Sequence, residues 1–261
     1  MLNSRTTFYN NVVDKTILDR KASILVLAAG LTDKIVFDSL GFKDVTFSNV
    51  DSNSGSTSEF APFHFQEQDA ENLNYDNDSF DYVVIHAALH HCQSPHRALL
   101  EMYRVARKGI LCFEGRDSSL MKILEYLGLT EQYECSAVYS QNGKSGGFRN
   151  GPVPNFVYRW TEREVQKTIK SFAPHATHQF NFHYGNASPA LLDMPGISFR
   201  KTAIRIAYSL YKVFVVIAPK QQNLFSFSIF KPNLPNDFQG WITCDNQGLK
   251  FNMTWGNKTF G

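Results

Sequence analysis

The chain has 261 residues, of which 43% are hydrophobic and 14% aromatic, so it can bury a large core and is not intrinsically disordered. Its 26 basic and 24 acidic residues leave a formal charge of +2, which gives no general attraction to phosphate backbones. We therefore do not expect a dedicated nucleic-acid-binding protein.

The cysteines and the apolar runs indicate the cellular setting. The cysteines Cys92, Cys112, Cys135 and Cys244 are scattered without a CxxC pair, so we expect no disulfide framework. The N-terminus lacks the apolar stretch of a signal peptide, and the longest apolar run, 204–219, is interrupted by two basic residues. It is therefore too short to span a bilayer. We expect a soluble, cytoplasmic protein; the sequence does not predict its oligomeric state.

The first half of the chain alternates short apolar runs with amphipathic segments. Apolar runs predict strands at 23–28, 44–50, 63–66, 80–85 and 110–113. Between them, we expect one helix from an N-cap at Thr32-Asp33 to about Leu40. Another should run from Ser94-Pro95 to about Lys108, where Gly109 would end it. Strand–helix–strand units of this length predict a parallel sheet with right-handed crossovers.

The second half is less regular. Helices are predicted at 118–127, 162–172 and 199–216, late strands at 179–184 and 224–230, and a hairpin around Trp241 and Trp255. The irregular stretch 130–159 is long enough to be a lid or an insertion. Together the two halves predict an α/β fold, a Rossmann-like doubly wound sheet that is mostly parallel, with helices on both faces.

Ligands of such sheets bind beyond the carboxyl ends of the strands, so the residues that follow each run are candidate ligand contacts. Ala28, Ala29 and Gly30 form a small-residue turn that a ligand can approach. Asp51, 21 residues after Gly30, can accept hydrogen bonds from both hydroxyls of a ribose, and Asp69 can accept one from an adenine amino group. The turn lacks the GxGxxG spacing of a pyrophosphate cradle, so a nucleotide-dependent oxidoreductase is the less favoured alternative.

These segments resemble the class I S-adenosylmethionine-dependent methyltransferases, near the methyltransferase type 11 group. The resemblance covers about 24–114 and rests on the turn at 28–30, Asp51, and the segments 68–73, 79–84, 89–91 and 98–109. It implies S-adenosylmethionine as the cofactor, S-adenosylhomocysteine as the product, no metal, and an antiparallel C-terminal hairpin whose last strand is inserted into the sheet. It implies cofactor contacts from Ala28, Ala29, Gly30, Asp51, Ser52, Asp69, Ala70 and His86.

The resemblance also implies one domain over 1–261, with a cofactor-binding core at about 20–116 and acceptor-binding elaborations at about 117–261. The chain departs from the family pattern in its first turn. Val26 stands where the family has an acid, and Ala28 and Thr32 replace two glycines. Because alanine is strained at positive φ, a non-catalytic binding or scaffolding protein with this fold is an alternative function.

Two histidines are the predicted catalytic residues. A hydroxyl acceptor must lose its proton, and His90 and His91 follow the fourth strand, close to the expected methyl position. Alternatively, they shape the loop through hydrogen bonds to its backbone. We do not expect His86, His90, His91 and His96 to bind a metal, because no matched carboxylate or thiolate set accompanies them.

Predicted acceptor contacts are Arg116, Arg149, Asn155, Arg159 and Trp160. Arginines beside aromatic residues suit a sugar or a phosphate-bearing ligand, although Trp160 could instead pack against a helix and Arg159 form a surface pair. We expect O-methylation of a small-molecule or sugar/glycan-type acceptor, with N- or C-methylation as alternatives. The basic, apolar helix at 199–216 should cover the sheet; peripheral membrane contact is the other interpretation.

Overall fold

The computed structural model describes residues 4–50, 57–189 and 199–261. A seven-stranded sheet forms its centre, in the order β3-β2-β1-β4-β5-β7-β6. Strands β1 to β5 are parallel, whereas β7 is antiparallel to both β5 and β6. The strands are β1 Ile24–Leu27, β2 Val45–Asn49, β3 His64–Glu67, β4 Phe80–His86, β5 Ala106–Glu114, β6 Gln179–Gly185 and β7 Leu224–Phe230. The predicted Rossmann-like sheet, with its last strand inserted beside β5, is confirmed.

Helices surround the sheet, and a small tail follows it. The helices are α1 Ser4–Thr16, α2 Leu31–Ser39, α3 Thr57–Phe60, α4 Pro95–Val105, α5 Ser119–Tyr126, α6 Cys135–Ser140, α7 Glu162–Phe172, α8 Phe199–Ile217 and α9 Met253–Phe260. The tail contains an antiparallel hairpin of β8 Ile242–Asp245 and β9 Gly248–Phe251. The hairpin predicted there is confirmed, and the Trp241 and Trp255 rings pack with their centroids 5.8 Å apart.

Two apolar clusters lie on opposite faces of the sheet. One joins Leu25 and Leu27 to α4, α7 and the buried Trp160. The other joins Ile24 and Val26 to α1 and α2. Successive side chains of a strand point to opposite faces, so a strand buried on both faces needs the continuous apolar run that predicted β1. The helix α1 was not predicted, because its apolar residues show little helical periodicity.

The structure corrects two predicted helix boundaries. Helix α4 ends at Val105 rather than near Lys108, because Ala106 already pairs with Phe80 and begins β5. Gly109 lies inside that strand: an added Cβ would be 2.8 Å from the Ile229 carbonyl oxygen of β7, so close strand approach requires glycine here. Helix α2 is capped by Gly30, not by Thr32-Asp33.

The expectation that α8 covers the sheet is wrong. Most of its described side chains are exposed, including Leu210, Val213 and Ile217, and its inner face borders a cavity instead of a strand layer. Among the residues described here, we find no helix long and apolar enough to cross a membrane.

Candidate active site

The turn after β1 lies at the carboxyl edge of the sheet. Ala28 adopts the left-handed conformation, with φ at 50°. The Ala29 amide donates a 2.8 Å hydrogen bond to the Ser48 carbonyl, and the Asn49 side chain donates to the Ala29 carbonyl at 3.2 Å. The turn therefore has a residue at positive φ, as a glycine would allow, but the residue there is the strained Ala28. Hydrogen bonds anchor the turn to the end of β2.

A buried polar cluster that the sequence analysis missed supports this turn. The Asp33 carboxylate accepts hydrogen bonds from the Gly30 amide at 2.8 Å and from the Tyr9 hydroxyl at 2.7 Å. The His86 ring, at the end of β4, stacks on Tyr9 and places Nδ1 4.0 Å from the Asp33 carboxylate. Burial raises the pKa of Asp33 and lowers the pKa of His86. Tyr9 could not be identified from sequence because α1 itself was not predicted.

The predicted ribose and adenine contacts are described in part. Asp51 and Ser52 lie outside the described residues. Asp69 accepts a 2.9 Å hydrogen bond from the Glu71 amide and forms a 2.7 Å ion pair with Arg149. The neighbouring Ala70 is partly buried and packs against the apolar cluster that contains Leu25 and Leu27. Arg149, predicted as an acceptor contact, is thus located beside the predicted adenine contact.

His90 is held between two carboxylates. Its Nδ1 lies 2.6 Å from Glu114 and its Nε2 lies 3.3 Å from Glu134. Glu114 is itself fixed, because it accepts the Ala88 and Leu89 amides at 3.0 and 2.7 Å. Burial alone would lower the pKa of His90, but the two carboxylates outweigh it and raise that pKa to about 10.

His91 has different partners. Its Nδ1 lies 3.0 Å from the Gly147 carbonyl and its Nε2 lies 3.5 Å from Glu134. Burial and the neighbouring His90 lower its pKa. Asn155 donates from its side chain to the His90 carbonyl at 3.1 Å and to Glu134 at 3.3 Å, so it positions this cluster.

The structure corrects the expectation that no carboxylate set accompanies the histidines. Glu114 is the last residue of β5 and therefore reaches the same sheet edge, which its position in the chain could have indicated. Glu134 comes from the irregular stretch, where no periodicity or spacing marked it. The loop returns to the sheet edge only in the folded chain, so this neighbour could not be identified from sequence.

A cavity of about 830 Å³ opens at the edge formed by β4 and β5. His86, His90 and Glu114 line one end, and apolar side chains of α5 and α8 line much of the remainder. Arg116 and Arg159 also line it; Arg116 forms a bidentate pair with Glu162, and Arg159 pairs with Glu125.

Trp160 does not lie in this cavity. Its side chain is completely buried and packs against Phe227 in the core. Its predicted role in acceptor contact is therefore corrected to a packing role, the alternative that the sequence analysis left open.

The residues at this edge fit an S-adenosyl cofactor. Among the residues that the structure describes, a Cβ added to Gly30 would meet only the Asp33 carboxylate, at 3.9 Å, so these residues leave space above the turn. Asp69 and its partner Arg149 both retain solvent exposure, so either can exchange partners with a ligand. Small side chains at 28–30 and a carboxylate at Asp69 would hold the methionine and adenine portions, respectively.

Comparisons with known proteins bear on the fold. Residues 43–113 match a family model described as a methyltransferase domain. No curated protein sequence is a significant match to the chain.

Among solved structures, one match is a chain from a Haloferax volcanii complex. That complex joins the Trm112 methyltransferase activator to a candidate methyltransferase, and the chain aligns with a TM-score of 0.55 and 12% identity. This alignment covers 87% of the present chain and 89% of the other. The PH0226 protein from Pyrococcus horikoshii OT3 has a TM-score of 0.52 and 14% identity, over 88% and 90%.

The magnesium protoporphyrin IX methyltransferase of Synechocystis PCC 6803, solved with bound S-adenosylhomocysteine, has a TM-score of 0.50. It is 11% identical, over 86% of the present chain and 84% of its own. At such identities these structures show a shared fold. With the match of residues 43–113 to the methyltransferase-domain model and the strand order, they lead to the conclusion that the chain has the fold of the class I S-adenosylmethionine-dependent methyltransferases and resembles the methyltransferase type 11 group.

Proposed function

We propose that this protein transfers a methyl group from S-adenosylmethionine to a hydroxyl oxygen of a small molecule bound in the 830 Å³ cavity. One observation carries the proposal: the carboxyl end of β4 borders both the turn at 28–30 and the cavity. His86 lines the cavity and lies 4.0 Å from Asp33, whose carboxylate in turn holds the amide of Gly30 in the cofactor turn. A donor bound along the edge and an acceptor bound in the cavity would therefore be neighbours.

The cavity lining favours an acceptor with an apolar body and a polar end. Its carbon surface includes Leu124, Ile204 and Phe225, whereas Arg116, Arg159 and glutamates supply charge near the sheet. A sugar would leave much of this apolar surface without a matching partner, so the small-molecule interpretation is better supported than the glycan one. N- or C-methylation remains an alternative.

The protein's contribution would be alignment and protection from water. S-adenosylmethionine, when bound, supplies an electrophilic methyl group on a sulfonium. Effective catalysis then depends on holding the acceptor oxygen in line with that carbon, a proximity effect worth several kcal/mol, roughly 7–11 at its best. Helices α5 and α8 form the wall that would exclude water during this step.

His90 and His91 remain the predicted catalytic residues, and their contacts limit how they could act. Both ring nitrogens of His90 face carboxylates, so His90 is poorly placed to remove a proton from an acceptor. The Nε2 of His91 faces Glu134. His90, His91 and Glu134 would therefore act together, and neither histidine would act alone as a general base.

Isothermal titration calorimetry with S-adenosylmethionine, S-adenosylhomocysteine and NAD tests the proposal against its rivals. We expect heat with both sulfur nucleosides and none with NAD. Binding without turnover over a panel of hydroxylated aromatic and aliphatic compounds would favour the scaffolding alternative, and heat with NAD would favour the oxidoreductase. No heat with either sulfur nucleoside would refute the proposal.

Asp51→Ala tests the predicted ribose contact. Loss of charge-assisted hydrogen bonds should weaken S-adenosylhomocysteine binding by about 1.5–3 kcal/mol. Asp38→Ala, which removes an exposed acid on the outer face of α2, is the matched control and should leave affinity unchanged. Equal affinity in the Asp51 variant and the wild type would contradict the assigned contact.

A further inference from the structure

We propose that His90, His91 and Glu134 bind a divalent transition-metal ion, most simply Zn²⁺, at the inner end of the cavity. One donor atom of each residue lies within 4.8 Å of the other two. The two described Nε2-to-Oε2 distances are 3.3 and 3.5 Å. Donors bound at about 2.0–2.2 Å around a tetrahedral ion are separated by about 3.3–3.6 Å, so these two distances suit donors that share one ion.

The outer nitrogens of both rings are held as they are in metal sites. The Nδ1 of His90 meets a buried carboxylate, Glu114, and the Nδ1 of His91 meets the Gly147 carbonyl at 2.6 and 3.0 Å, respectively. Metal-binding histidines commonly donate their second ring N–H to a carboxylate or a backbone carbonyl, which fixes the tautomer and directs the other nitrogen to the ion. Both histidines here show this arrangement.

The arrangement leaves one contact that a cation would resolve. A carbonyl oxygen can only accept, so Nδ1 of His91 carries the proton, and in the neutral ring Nε2 then has a lone pair. That lone pair faces the Glu134 carboxylate at 3.5 Å, so two acceptors oppose each other. Either a second proton on His91 or an ion bound by all three groups would relieve this opposition.

Glu134, the third ligand, is held in place by Asn155, and the site is open on one side. Asn155, which is almost completely buried, donates from its side chain to Glu134, and its backbone carbonyl accepts a hydrogen bond from the Glu134 amide. His90 and Glu134 line the acceptor cavity, so a fourth coordination position can face it. Three protein ligands with one open position are typical of catalytic zinc, and two imidazoles disfavour Mg²⁺ and Ca²⁺, which prefer oxygen ligands.

The ion's catalytic role rests on the proposed function. When the acceptor hydroxyl occupies the fourth position, the ion lowers its pKa, its O–H bond breaks and the proton passes to water. The oxygen then forms a C–O bond with the methyl carbon while the S–CH₃ bond breaks. The electron pair of that bond stays on sulfur, which yields S-adenosylhomocysteine and the methyl ether, and this step needs no redox partner.

Calorimetry of chelator-treated, tag-free full-length protein with Zn²⁺ tests ion binding without an activity assay. We expect about one ion per chain in the wild type. Loss of a ligand in His91→Ala or Glu134→Gln should lower the affinity at least tenfold, and Glu114→Gln, which changes the partner of His90, should lower it about 10–100-fold. His64→Ala removes an exposed histidine of β3 and should bind as the wild type does.

No saturable binding by the wild type, or unchanged affinity in both ligand variants, would overturn the site. If a variant fails to fold, the zinc titration of the wild-type protein still tests the proposal. Crystals soaked in Zn²⁺ should show an anomalous peak between His90, His91 and Glu134, and a peak found only elsewhere would refute the proposal. The proposed function fails separately, since absence of S-adenosylhomocysteine binding would leave zinc binding intact, and absence of zinc binding would leave methyl transfer standing.

Discussion

Replacing Ala28 by glycine should stabilise the protein, which is unusual for a glycine substitution. Ala28 has φ at 50°, a conformation that costs an L-residue roughly 1–2 kcal/mol and costs glycine almost nothing. Glycine loses about 0.5–1 kcal/mol more backbone entropy on folding, so the net gain should be about 0.5–1 kcal/mol. For a chain of this size, the melting temperature should rise by about 1–4 °C.

Ala29→Gly is the matched control one residue along the same turn. Ala29 is buried and is not among the positive-φ residues of the described chain, so glycine brings no relief of strain there. The variant loses a buried methyl group, worth about 0.8 kcal/mol, and some backbone entropy. Its melting temperature should therefore fall. Thermal unfolding followed by circular dichroism distinguishes this fall from the rise expected for Ala28→Gly. Equal destabilisation by both variants would refute the strain argument.

Three further predictions concern packing, pH and the surface. Gly109→Ala should destabilise the fold by about 3 kcal/mol in urea unfolding, because its Cβ would lie 2.8 Å from the Ile229 carbonyl oxygen; a loss near zero would contradict that close approach. Burial raises the pKa of Glu162, but hydrogen bonds from Arg116 and Tyr184 outweigh it and lower that pKa to about 2. A lowered carboxyl pKa stabilises the fold above the unfolded value of 4.5, and that contribution is lost as the pH falls toward 2. The stability lead of the wild type over Glu162→Gln should therefore be about 2 kcal/mol smaller near pH 3 than near pH 6, and a constant gap would exclude this pair as its source. Helix α8 has four basic residues and no acidic one, so the chain should cosediment with anionic vesicles more than with neutral ones. Substituting the exposed Val213 by Asp should reduce that binding, and equal recovery with both lipids would remove membrane contact from the interpretation.

The sheet was predictable because its signal is local. A strand buried on both faces requires a continuous apolar run, and β1 and β4 have such runs. Boundaries were less accurate where a tertiary contact sets them. Helix α4 gives way to β5 at Ala106 because Phe80 pairs with it, and Phe80 is 26 residues away along the chain.

The positions of the predicted site residues were also predictable only where a local signal sets them. Those at or shortly after the end of a strand, such as Gly30, His86 and His90, lie at one sheet edge because parallel strands end together. Residues of the irregular stretch, and Trp160 directly after it, followed no such rule. Arg149 lies beside Asp69, and Trp160 is part of the core. The cytoplasmic location and the identity of the acceptor remain predictions.

The amino-acid sequence by itself determined the parallel sheet, its helical layers and the edge at which we propose that ligands bind, because strand periodicity and strand ends are properties of neighbouring residues. Only the tertiary structure decided which side chains act together at that edge. Glu134 meets His90 and His91 across more than forty positions of chain, and Tyr9 reaches Asp33 from a helix with little periodicity. Such contacts depend on where an irregular loop and an unpredicted helix pack, and packing is a property of the whole folded chain.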